Sequence, residues 1–296
     1  GLPIPVISVQ LQSSEMNCTI GESCHMETPS FSGGEPDQWV CEPPLPSGLT
    51  LGQDGSISGI PDHVGSTNHT ITGSNNGGSA YASLNITTIH ASPDSIDYGG
   101  ESFTFSIGQP VSLSPSVPGG QITAWSVNPD LLSGLSISQS GEISGIPSAL
   151  QPTTQYPITA ENSGGSVSTS ILIEVIDLPI WDLEYSQQSF DLSVGDVIPT
   201  NSPIWGGGSP TSWHVSPPLP NGFQMDQWTG AISGTATDLQ EWSTHTIWAN
   251  NTGGGDFTEV SFRVIDQPPN QITWEIQEIA LSSNESAVTV SYTHLR

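Results

Sequence analysis

The chain has 296 residues, of which 29 are acidic and only Arg263 and Arg296 are basic, so its formal net charge is −27. A surface this acidic repels phosphate backbones and anionic lipids, which argues against nucleic-acid binding and against electrostatic docking to membranes. No apolar run reaches the roughly 18 residues that a spanning helix needs, so we expect no membrane insertion in this segment.

One block of sequence occurs three times. The texts W-V-C-E-P-P-L-P-S-G-L, W-S-V-N-P-D-L-L-S-G-L and W-H-V-S-P-P-L-P-N-G-F begin at Trp39, Trp125 and Trp213, and each continues through G-x-I-S-G to an N-x-G-G segment. A period of about 87 residues suits one small domain and is too long for a solenoid repeat. The sequence therefore predicts three complete domains, which are repeat 1 (1–92), repeat 2 (93–178) and repeat 3 (179–268).

Apolar and polar residues alternate along most of each repeat. In repeat 2, apolar or β-branched residues at 167, 169, 171, 173 and 175 are separated mainly by polar ones. Alternation with a period of two places one face of a strand on a core and the other towards water. The 25 prolines and 32 glycines interrupt these runs, and helical signals are nearly absent. The pattern predicts an all-β fold with one sandwich per repeat.

The predicted elements follow the same order in every repeat. An extended segment turns at a glycine, the tryptophan strand and a proline-rich crossover follow, and two hairpins complete the repeat. The first-turn glycines are Gly21, Gly108 and Gly195, and the glycines of the tight hairpin are Gly55, Gly141 and Gly230. Glycine supplies the positive φ that such hairpins need. We interpret Trp39, Trp125 and Trp213 as core residues between the two sheets.

This order of motifs resembles the immunoglobulin-like repeat family that is close to the dystroglycan-type, cadherin-like domains. The resemblance recurs three times and covers nearly all of residues 1–268. It implies tandem seven-stranded immunoglobulin-like or cadherin-like β-sandwiches, found in large secreted or surface proteins of bacteria and archaea and used for extension and adhesion. The resemblance brings no catalytic residues, and the family lacks the Cys…Trp…Cys bridge of antibody domains.

All three cysteines lie in repeat 1, at positions where the other repeats carry apolar residues. Three thiols at core positions of an extracellular sandwich predict one disulfide and one unpaired cysteine. We expect the pair Cys24–Cys41, because both positions are predicted to face inward from central strands. Cys18–Cys24 is the main alternative, and three unpaired thiols are the other. The spacing matches no zinc-site pattern.

The sequence holds no recognisable catalytic motif. The seven histidines are scattered, and neither a G-x-S-x-G elbow nor a phosphate-binding loop occurs. His69 and His245 take the position that Tyr156 holds in repeat 2, which favours a structural role for both. We therefore predict that this segment is not an enzyme and carries no cofactor.

Calcium is the one ion that the acidic residues near the predicted junctions suggest. The candidate ligands are Asp97, Asp177, Asp182, Glu184 and Asp266. The cadherin linker motif D-x-N-D-N is missing, however, and the junctions read V-I-D-L-P and V-I-D-Q-P. The alternative, which we favour, is a solvated acidic junction that binds no specific metal.

Two further groups of residues mark candidate surfaces. Five N-x-S/T sequons are candidate glycosylation sites and stand at Asn17, Asn68, Asn85, Asn250 and Asn284. Four tryptophans of repeat 3 have no counterpart in the other repeats, and these are Trp205, Trp228, Trp242 and Trp248. Such rings either pack against neighbouring domains or form platforms for sugar rings.

The segment 269–296 resembles the opening of repeat 3, which predicts the first strands of a fourth repeat. Alternatively it is a terminal donor strand that completes the sheet of a neighbouring subunit. The last residues, 290–296, resemble translated sequencing-adapter read-through at the edge of a metagenomic contig.

These features together favour a non-enzymatic secreted or cell-surface protein that acts as a stalk, scaffold or adhesive spacer. Its expected partners are neighbouring copies or further repeats of the same protein, with surface glycans as a second class. The alternatives are a subunit of an extracellular filament assembled by strand exchange and a carbohydrate-binding adhesin.

Overall fold

The computed structural model describes residues 3–267, and all regular secondary structure in this part is β-strand. Among these residues there is no helix that could span a membrane. The chain forms two compact units. Among the described residues, unit 1 comprises residues 3–181, 206–211 and 250–255, and unit 2 comprises residues 182–205, 212–249 and 256–267.

The first part of unit 1 is repeat 1, which contains a four-stranded, a three-stranded and a two-stranded sheet. Their strand orders are β2-β9-β8-β5, β3-β7-β6 and β1-β4. The strands are β1 (Val6–Gln10), β2 (Glu15–Thr19), β3 (Cys24–Met26), β4 (Ser30–Gly33), β5 (Gln38–Glu42), β6 (Leu49–Leu51), β7 (Ile57–Gly59), β8 (Gly65–Asn75) and β9 (Gly78–Ile89).

The second part of unit 1 is repeat 2, which contains the same two larger sheets in the orders β10-β16-β15-β12 and β11-β14-β13. Two isolated bridges, Pro93–Gly119 and Asp97–Ser116, take the place of the two-stranded sheet. The strands are β10 (Ser102–Ser106), β11 (Val111–Leu113), β12 (Ala124–Val127), β13 (Leu135–Ile137), β14 (Ile143–Gly145), β15 (Gln151–Asn162) and β16 (Gly165–Ile176).

Repeat 3 supplies the described residues of unit 2 and also residues 179–181, Gly206–Thr211 and Asn250–Gly255 of unit 1. Its sheets have the orders β18-β25-β24-β21, β19-β23-β22 and β17-β20. The strands are β17 (Ile180–Tyr185), β18 (Ser189–Ser193), β19 (Val197–Asn201), β20 (Pro203–Gly207), β21 (Ser212–Ser216), β22 (Phe223–Met225), β23 (Ile232–Thr235), β24 (Gln240–Asn251) and β25 (Gly254–Ile265).

The alternating pattern decides which face of each strand is buried. In β16, Ile171, Ile173 and Val175 are buried, whereas Leu172 between them is exposed. The four-stranded sheet combines a long antiparallel hairpin with one parallel pair, since β10 runs parallel to β16 and β15 runs antiparallel to it. The predicted all-β sandwich architecture is confirmed.

Each repeat has its own hydrophobic core, and the three buried clusters draw their residues from repeat 1, repeat 2 and repeat 3 separately. The centres of these clusters are isoleucines and phenylalanines with almost no exposed surface, for example Ile71 in repeat 1, Ile158 in repeat 2 and Phe262 in repeat 3. A core confined to one repeat is what an independent sandwich requires. The domain boundaries after residues 92, 178 and 268 stay a prediction.

The repeated tryptophans are half-buried and pack against these cores. Their rings lie directly over the hairpin glycines, so that a Cβ on Gly141 would clash with the ring of Trp125. Gly141 also has a φ of 80°, and its counterparts Gly55 and Gly230 have 83° and 70°. The predicted positive φ is confirmed, and the tryptophans act as covers of the hairpin rather than as fully buried plugs.

Candidate functional site

The N-x-G-G turns carry a side-chain hydrogen-bond pattern that recurs in all three repeats. The Asn162 side-chain oxygen accepts hydrogen bonds from the backbone N–H groups of Gly164 and Gly165, at 2.8 and 3.1 Å. Its amide nitrogen donates to the carbonyl oxygens of Ala91, at 2.8 Å, and Gln121, at 3.0 Å. Ala91 follows β9, the last strand of repeat 1, so the turn at the far end of β15 holds the linker that enters repeat 2.

The same arrangement is present in the other two repeats. The Asn75 amide donates to the carbonyl oxygen of Ile4 at 3.0 Å, and the Asn251 amide donates to that of Leu178 at 2.8 Å. We call these three asparagines, Asn75, Asn162 and Asn251, the linker clamp. The N-x-G-G segments also form the turns of the long hairpins, and that turn is all that the sequence pattern predicts for them. The signal for a further role was an asparagine kept at the same place in all three copies.

A hydroxyl group beside the clamp makes a second contact to the linker. The backbone N–H of His90 donates to the Ser163 hydroxyl at 2.9 Å, and the N–H of Asp177 donates to the Thr252 hydroxyl at 2.8 Å. The following glycine allows this close approach, because a Cβ on Gly164 would clash with the carbonyl oxygen of His90. The turn therefore contacts the linker over consecutive residues.

The disulfide differs from the expected pair. Cys18 bonds to Cys24, with the two Cα atoms 5.6 Å apart, and Cys41 is a free cysteine. The prediction of Cys24–Cys41 was wrong because it placed both residues on central strands. Cys24 lies on β3 and Cys41 on β5, which are edge strands of different sheets. Edge strand β2, which carries Cys18, contacts β3, whereas β5 contacts β6 at the opposite edge of the sandwich.

The third cysteine belongs to a small buried polar group. The Cys41 thiol donates to the carbonyl oxygen of Pro43 at 3.2 Å and lies 3.6 Å from Nδ1 of His69. His69 is buried, and its Nδ1–H donates to the same carbonyl at 2.8 Å. Burial, and after it the charge of Glu42, raises the pKa of the Cys41 thiol to about 11. A thiol with so high a pKa is protonated at neutral pH and is not an activated nucleophile.

The counterpart of His69 in repeat 3 behaves in the same way, since buried His245 donates from Nδ1 to the carbonyl oxygen of Pro217 at 2.9 Å. Tyr156, at the same position in repeat 2, is also buried and accepts a hydrogen bond from the Gln151 side chain at 2.6 Å. The three residues pack inside their sandwiches, which agrees with the structural role predicted for both histidines.

The candidate calcium ligands do not converge in the described part of the chain, where no group of three or more His, Cys, Asp or Glu side chains has the geometry to hold a metal ion. Two of the five already accept protein hydrogen bonds. Asp97 accepts from the N–H of Gly99 at 2.7 Å, and Asp177 accepts from the Thr252 hydroxyl at 2.9 Å. The other three, Asp182, Glu184 and Asp266, are exposed. Calcium binding at these residues stays a hypothesis.

Four of the five sequon asparagines fall on outward positions of the four-stranded sheets. Asn17, Asn68 and Asn250 are exposed, and Asn85 is half-buried directly opposite Asn68 on β9. Asn284 lies outside the described residues. The same is true of the predicted fourth repeat or donor strand, 269–296. Glycosylation at any of these positions stays a prediction.

The four extra tryptophans of repeat 3 separate into two pairs. Trp205 on β20 packs edge-on against Trp213, with ring centroids 5.9 Å apart, and Trp228 stands on the hairpin tip with 77% of its surface exposed. Trp242 and Trp248 instead share the outer face of β24. Only this second pair contributes to a common surface.

Part of the chain matches a known protein family. Residues 85–176 match the family described as "Putative Ig domain". No curated protein sequence matches the chain.

Several solved structures of tandem Ig domains are similar to the chain. The eight N-terminal Ig domains of Down Syndrome Cell Adhesion Molecule match with a TM-score of 0.38 and 16% identity, covering 90% of this chain and 37% of that one. Titin domains I67–I69 match with a TM-score of 0.38 and 15% identity over 88% of this chain and 99% of that one. Extracellular domains 3–5 of Drosophila OTK match with a TM-score of 0.35 and 13% identity over 90% and 100%. The chain therefore spans well under half of the Down Syndrome Cell Adhesion Molecule fragment.

The family match covers repeat 2, and repeats 1 and 3 share with it the tryptophan, G-x-I-S-G and N-x-G-G motifs and the same pair of sheets. The chain is a tandem of immunoglobulin-like repeats.

Proposed function

We propose that the chain is a non-enzymatic spacer of a secreted or cell-surface protein, in which consecutive immunoglobulin-like repeats are held in a defined succession. The observation that carries the proposal is the linker clamp. In unit 1 the linker between repeats 1 and 2 is bound by the Asn162 amide and by the Ser163 hydroxyl. A linker that is hydrogen-bonded along its backbone loses the freedom that a flexible Gly/Ser linker keeps.

The proposal includes the absence of an enzymatic role. It is supported by the side chains with shifted pKa values, because local structural contacts account for each shift. The acidic residues with a lowered pKa are Asp54, Asp62, Asp191 and Asp226, and hydrogen bonds from neighbouring side chains or turn N–H groups cause each shift. Burial raises the pKa of Tyr98 and of Tyr185, whose hydroxyls donate to hairpin carbonyls. All of these groups serve local structure.

The extracellular location rests on the disulfide. Bonds such as Cys18–Cys24 persist in oxidising compartments and are rare in the cytosol. The strong negative charge suits a surface exposed to salt water, where counterions screen repulsion between neighbouring repeats. The filament alternative depends on residues 269–296, which lie outside the described residues, so the spacer is the function that we favour.

Small-angle X-ray scattering of the full chain tests the spacer. A succession of three sandwiches predicts that each repeat adds about 30–40 Å to the maximum dimension, since a strand of ten residues is roughly 33 Å long. Asn162→Ala should broaden the distribution of dimensions, because it removes the hydrogen bond from the Asn162 amide to the Ala91 carbonyl oxygen in the linker.

The matched control is Asn75→Ala, which removes the same type of turn contact from the segment that precedes β1. It should leave the distance between repeats 1 and 2 unchanged. A compact scattering profile for the wild-type chain would contradict the spacer, and equal effects of the two substitutions would show that the clamp does not govern the linker.

A further inference from the structure

The outer face of the four-stranded sheet in repeat 3 carries an unusual set of side chains. His245, Ile247 and Ala249 on β24 are buried, so the alternating residues Trp242 and Trp248 point to the opposite side. The same alternation on β25 turns Phe257 and Arg263 outward, and on β21 it turns His214 outward. We call these five residues, His214, Trp242, Trp248, Phe257 and Arg263, the aromatic face.

One end of the aromatic face is an aromatic cluster. The rings of His214 and Trp248 lie 5.5 Å apart at an angle of 34°. The Thr244 and Ser261 hydroxyls are 3.0 Å apart across β24 and β25, and the antiparallel register counted from this pair places Phe257 beside Trp248. Phe257 has 58% of its surface exposed. The cluster thus presents ring surface to solvent.

The other end combines one ring with charged hydrogen-bonding groups. The Arg263 guanidinium lies over the ring of Trp242, 5.3 Å from its centroid, and Nε of Arg263 donates to Asp191 at 2.8 Å. Trp242 is 49% exposed. The two tryptophans are six positions apart on β24, which corresponds to about 20 Å along an extended strand. Hydroxyl-bearing side chains, including Thr244 and Ser261, lie between the two ends.

The sandwich itself does not need these residues. The positions of Trp242 and Trp248 are Ser66 and Thr72 in repeat 1 and Thr153 and Thr159 in repeat 2, counted from the shared turn asparagine. Those repeats form the same four-stranded sheet with hydroxyl side chains there. Large exposed apolar side chains gathered on one face usually mark a binding surface. A requirement specific to repeat 3, rather than folding, therefore accounts for Trp242 and Trp248 in the aromatic face.

We propose that the aromatic face binds a neutral polysaccharide or oligosaccharide, a role that is separate from the spacer function. Exposed rings offer flat surfaces for the C–H faces of sugar rings, and the Arg263–Asp191 pair and neighbouring hydroxyls offer donors and acceptors for sugar hydroxyls. The spacing of the two tryptophans along one strand suits a ligand of several linked sugar units rather than a single ring.

The charge around the aromatic face argues against the other ligands that could bind there. Arg263 is the only Lys or Arg in the described part of the chain, and its charge is balanced by Asp191. Glu241 on β24 adds a second negative charge near it, and Glu259 lies exposed on the outward side of β25. Anionic glycans and nucleic acids are therefore repelled. A second copy of the chain also carries a formal charge of −27, so association through this face would bring like charges together. A neutral, hydroxyl-rich ligand meets none of this repulsion.

The full chain is first tested for binding on an array of neutral and anionic oligosaccharides. Affinity electrophoresis follows in gels that contain one of two neutral probes, laminarin or soluble chitin oligosaccharides, or the anionic probe alginate. We expect binding to neutral probes and none to alginate. The variants Trp242→Thr and Trp248→Thr should each weaken binding about tenfold or more, as expected for a central aromatic contact. Threonine is the residue that repeat 2 carries at both positions, so the sheet should form normally.

Trp228→Ala is the matched control, because this tryptophan is exposed on the hairpin tip of the same repeat but outside the aromatic face. It should leave binding unchanged. The proposal is overturned if no neutral probe binds, if alginate binds as strongly as the neutral probes, or if the threonine variants bind as well as the wild type while their thermal unfolding is unaltered. A shift in sedimentation that depends on Trp248 without any glycan would instead assign the face to self-association and also overturn it.

Discussion

Repeat 1 and repeat 2 differ in the contacts that connect the three-stranded sheet to the four-stranded sheet. In repeat 2, Phe105 on β10 and Val111 on β11 pack in the core, and Tyr98 donates from its hydroxyl to the hairpin carbonyl of Gly141 at 2.6 Å. The same positions in repeat 1 are Cys18, Cys24 and Leu11. Repeat 1 has therefore exchanged apolar volume and a buried hydrogen bond for a covalent bond between β2 and β3.

The comparison shows that one sandwich architecture tolerates different connections between its two sheets. The disulfide joins the edge strands β2 and β3 of the two sheets, whereas the Tyr98 hydrogen bond joins the segment before β10 to the hairpin between β13 and β14. They differ in their dependence on conditions, because a disulfide responds to reductant and a tyrosine hydrogen bond responds to alkaline pH. Repeat 3 has the same tyrosine hydrogen bond as repeat 2, since the Tyr185 hydroxyl donates to the carbonyl oxygen of Gly230 at 2.5 Å.

The largest effect should come from removing the disulfide. Cys18→Ser, or reduction of the wild type, should lower the free energy of unfolding of repeat 1 by about 2–3 kcal/mol, because the short loop regains its entropy in the unfolded chain. Amide hydrogen exchange should accelerate in β2, β8 and β9 and stay unchanged in β15 and β16. Cys41→Ser is the control and should not reproduce the effect. Equal acceleration in repeat 2 would refute the assignment of the bond to repeat 1 alone.

A smaller effect is expected from the tyrosine of repeat 2. Tyr98→Phe leaves the carbonyl oxygen of Gly141 without its donor and should lower the stability of repeat 2 by about 1–2 kcal/mol. Hydrogen exchange in β13 and β14 measures this change. Tyr81→Phe is the control, because 71% of Tyr81 is exposed and its hydroxyl should not matter.

The same tyrosine predicts how repeat 2 responds to alkali. Burial raises the pKa of Tyr98 to about 12, whereas an unfolded chain has a tyrosine pKa of about 10. Ionisation therefore favours the unfolded state, and the contribution of Tyr98 is complete below pH 10 and is lost as the pH rises towards 12. Tyr98→Phe should lessen this alkaline loss in repeat 2, and repeat 1, which has Leu11, should lack it. An unchanged alkaline profile in the variant would contradict the role of the buried hydroxyl.

The smallest effect should appear in acid, at the tight hairpin of repeat 1. The Ser56 hydroxyl and N–H, and after them the Thr28 hydroxyl, donate to Asp54 and hold the pKa of its carboxyl at about 2. A lowered pKa means that the contribution is complete above pH 4 and is lost as the pH falls towards 2. Repeat 2 carries Ser140 at this position and should show no such step.

Carbon-detected NMR titration of Asp54 and exchange of the hairpin amides between pH 5 and pH 2 measure this step. Asp54→Asn keeps an oxygen acceptor but does not titrate, and should remove the acid dependence while leaving the hairpin folded at pH 5. A midpoint for Asp54 near 4 would show that the hydrogen bonds seen in the hairpin do not persist in solution.

Much of the fold could be predicted because it depends on neighbouring residues. The alternation along β16, the positive φ of Gly141 and the turn at Asn162–Gly165 are local properties of the chain, and the threefold repetition supplied independent copies of each. The identity of the disulfide could not be obtained in this way. It depended on which edge strands lie over each other, and alternation tells only that a cysteine faces inward.

The candidate sites, too, were predicted in part from the sequence and in part depended on the tertiary structure. The sequence by itself determined that an asparagine stands in every N-x-G-G turn and that repeat 3 has extra tryptophans. Only the tertiary structure decided that the Asn162 amide reaches back to Ala91, 71 residues earlier in the chain, and that Trp242 and Trp248 share a face with His214, Phe257 and Arg263 while Trp205 and Trp228 do not. Strand pairing brings distant segments together, and the partner of each segment follows from the packing of whole sheets rather than from any short stretch of residues.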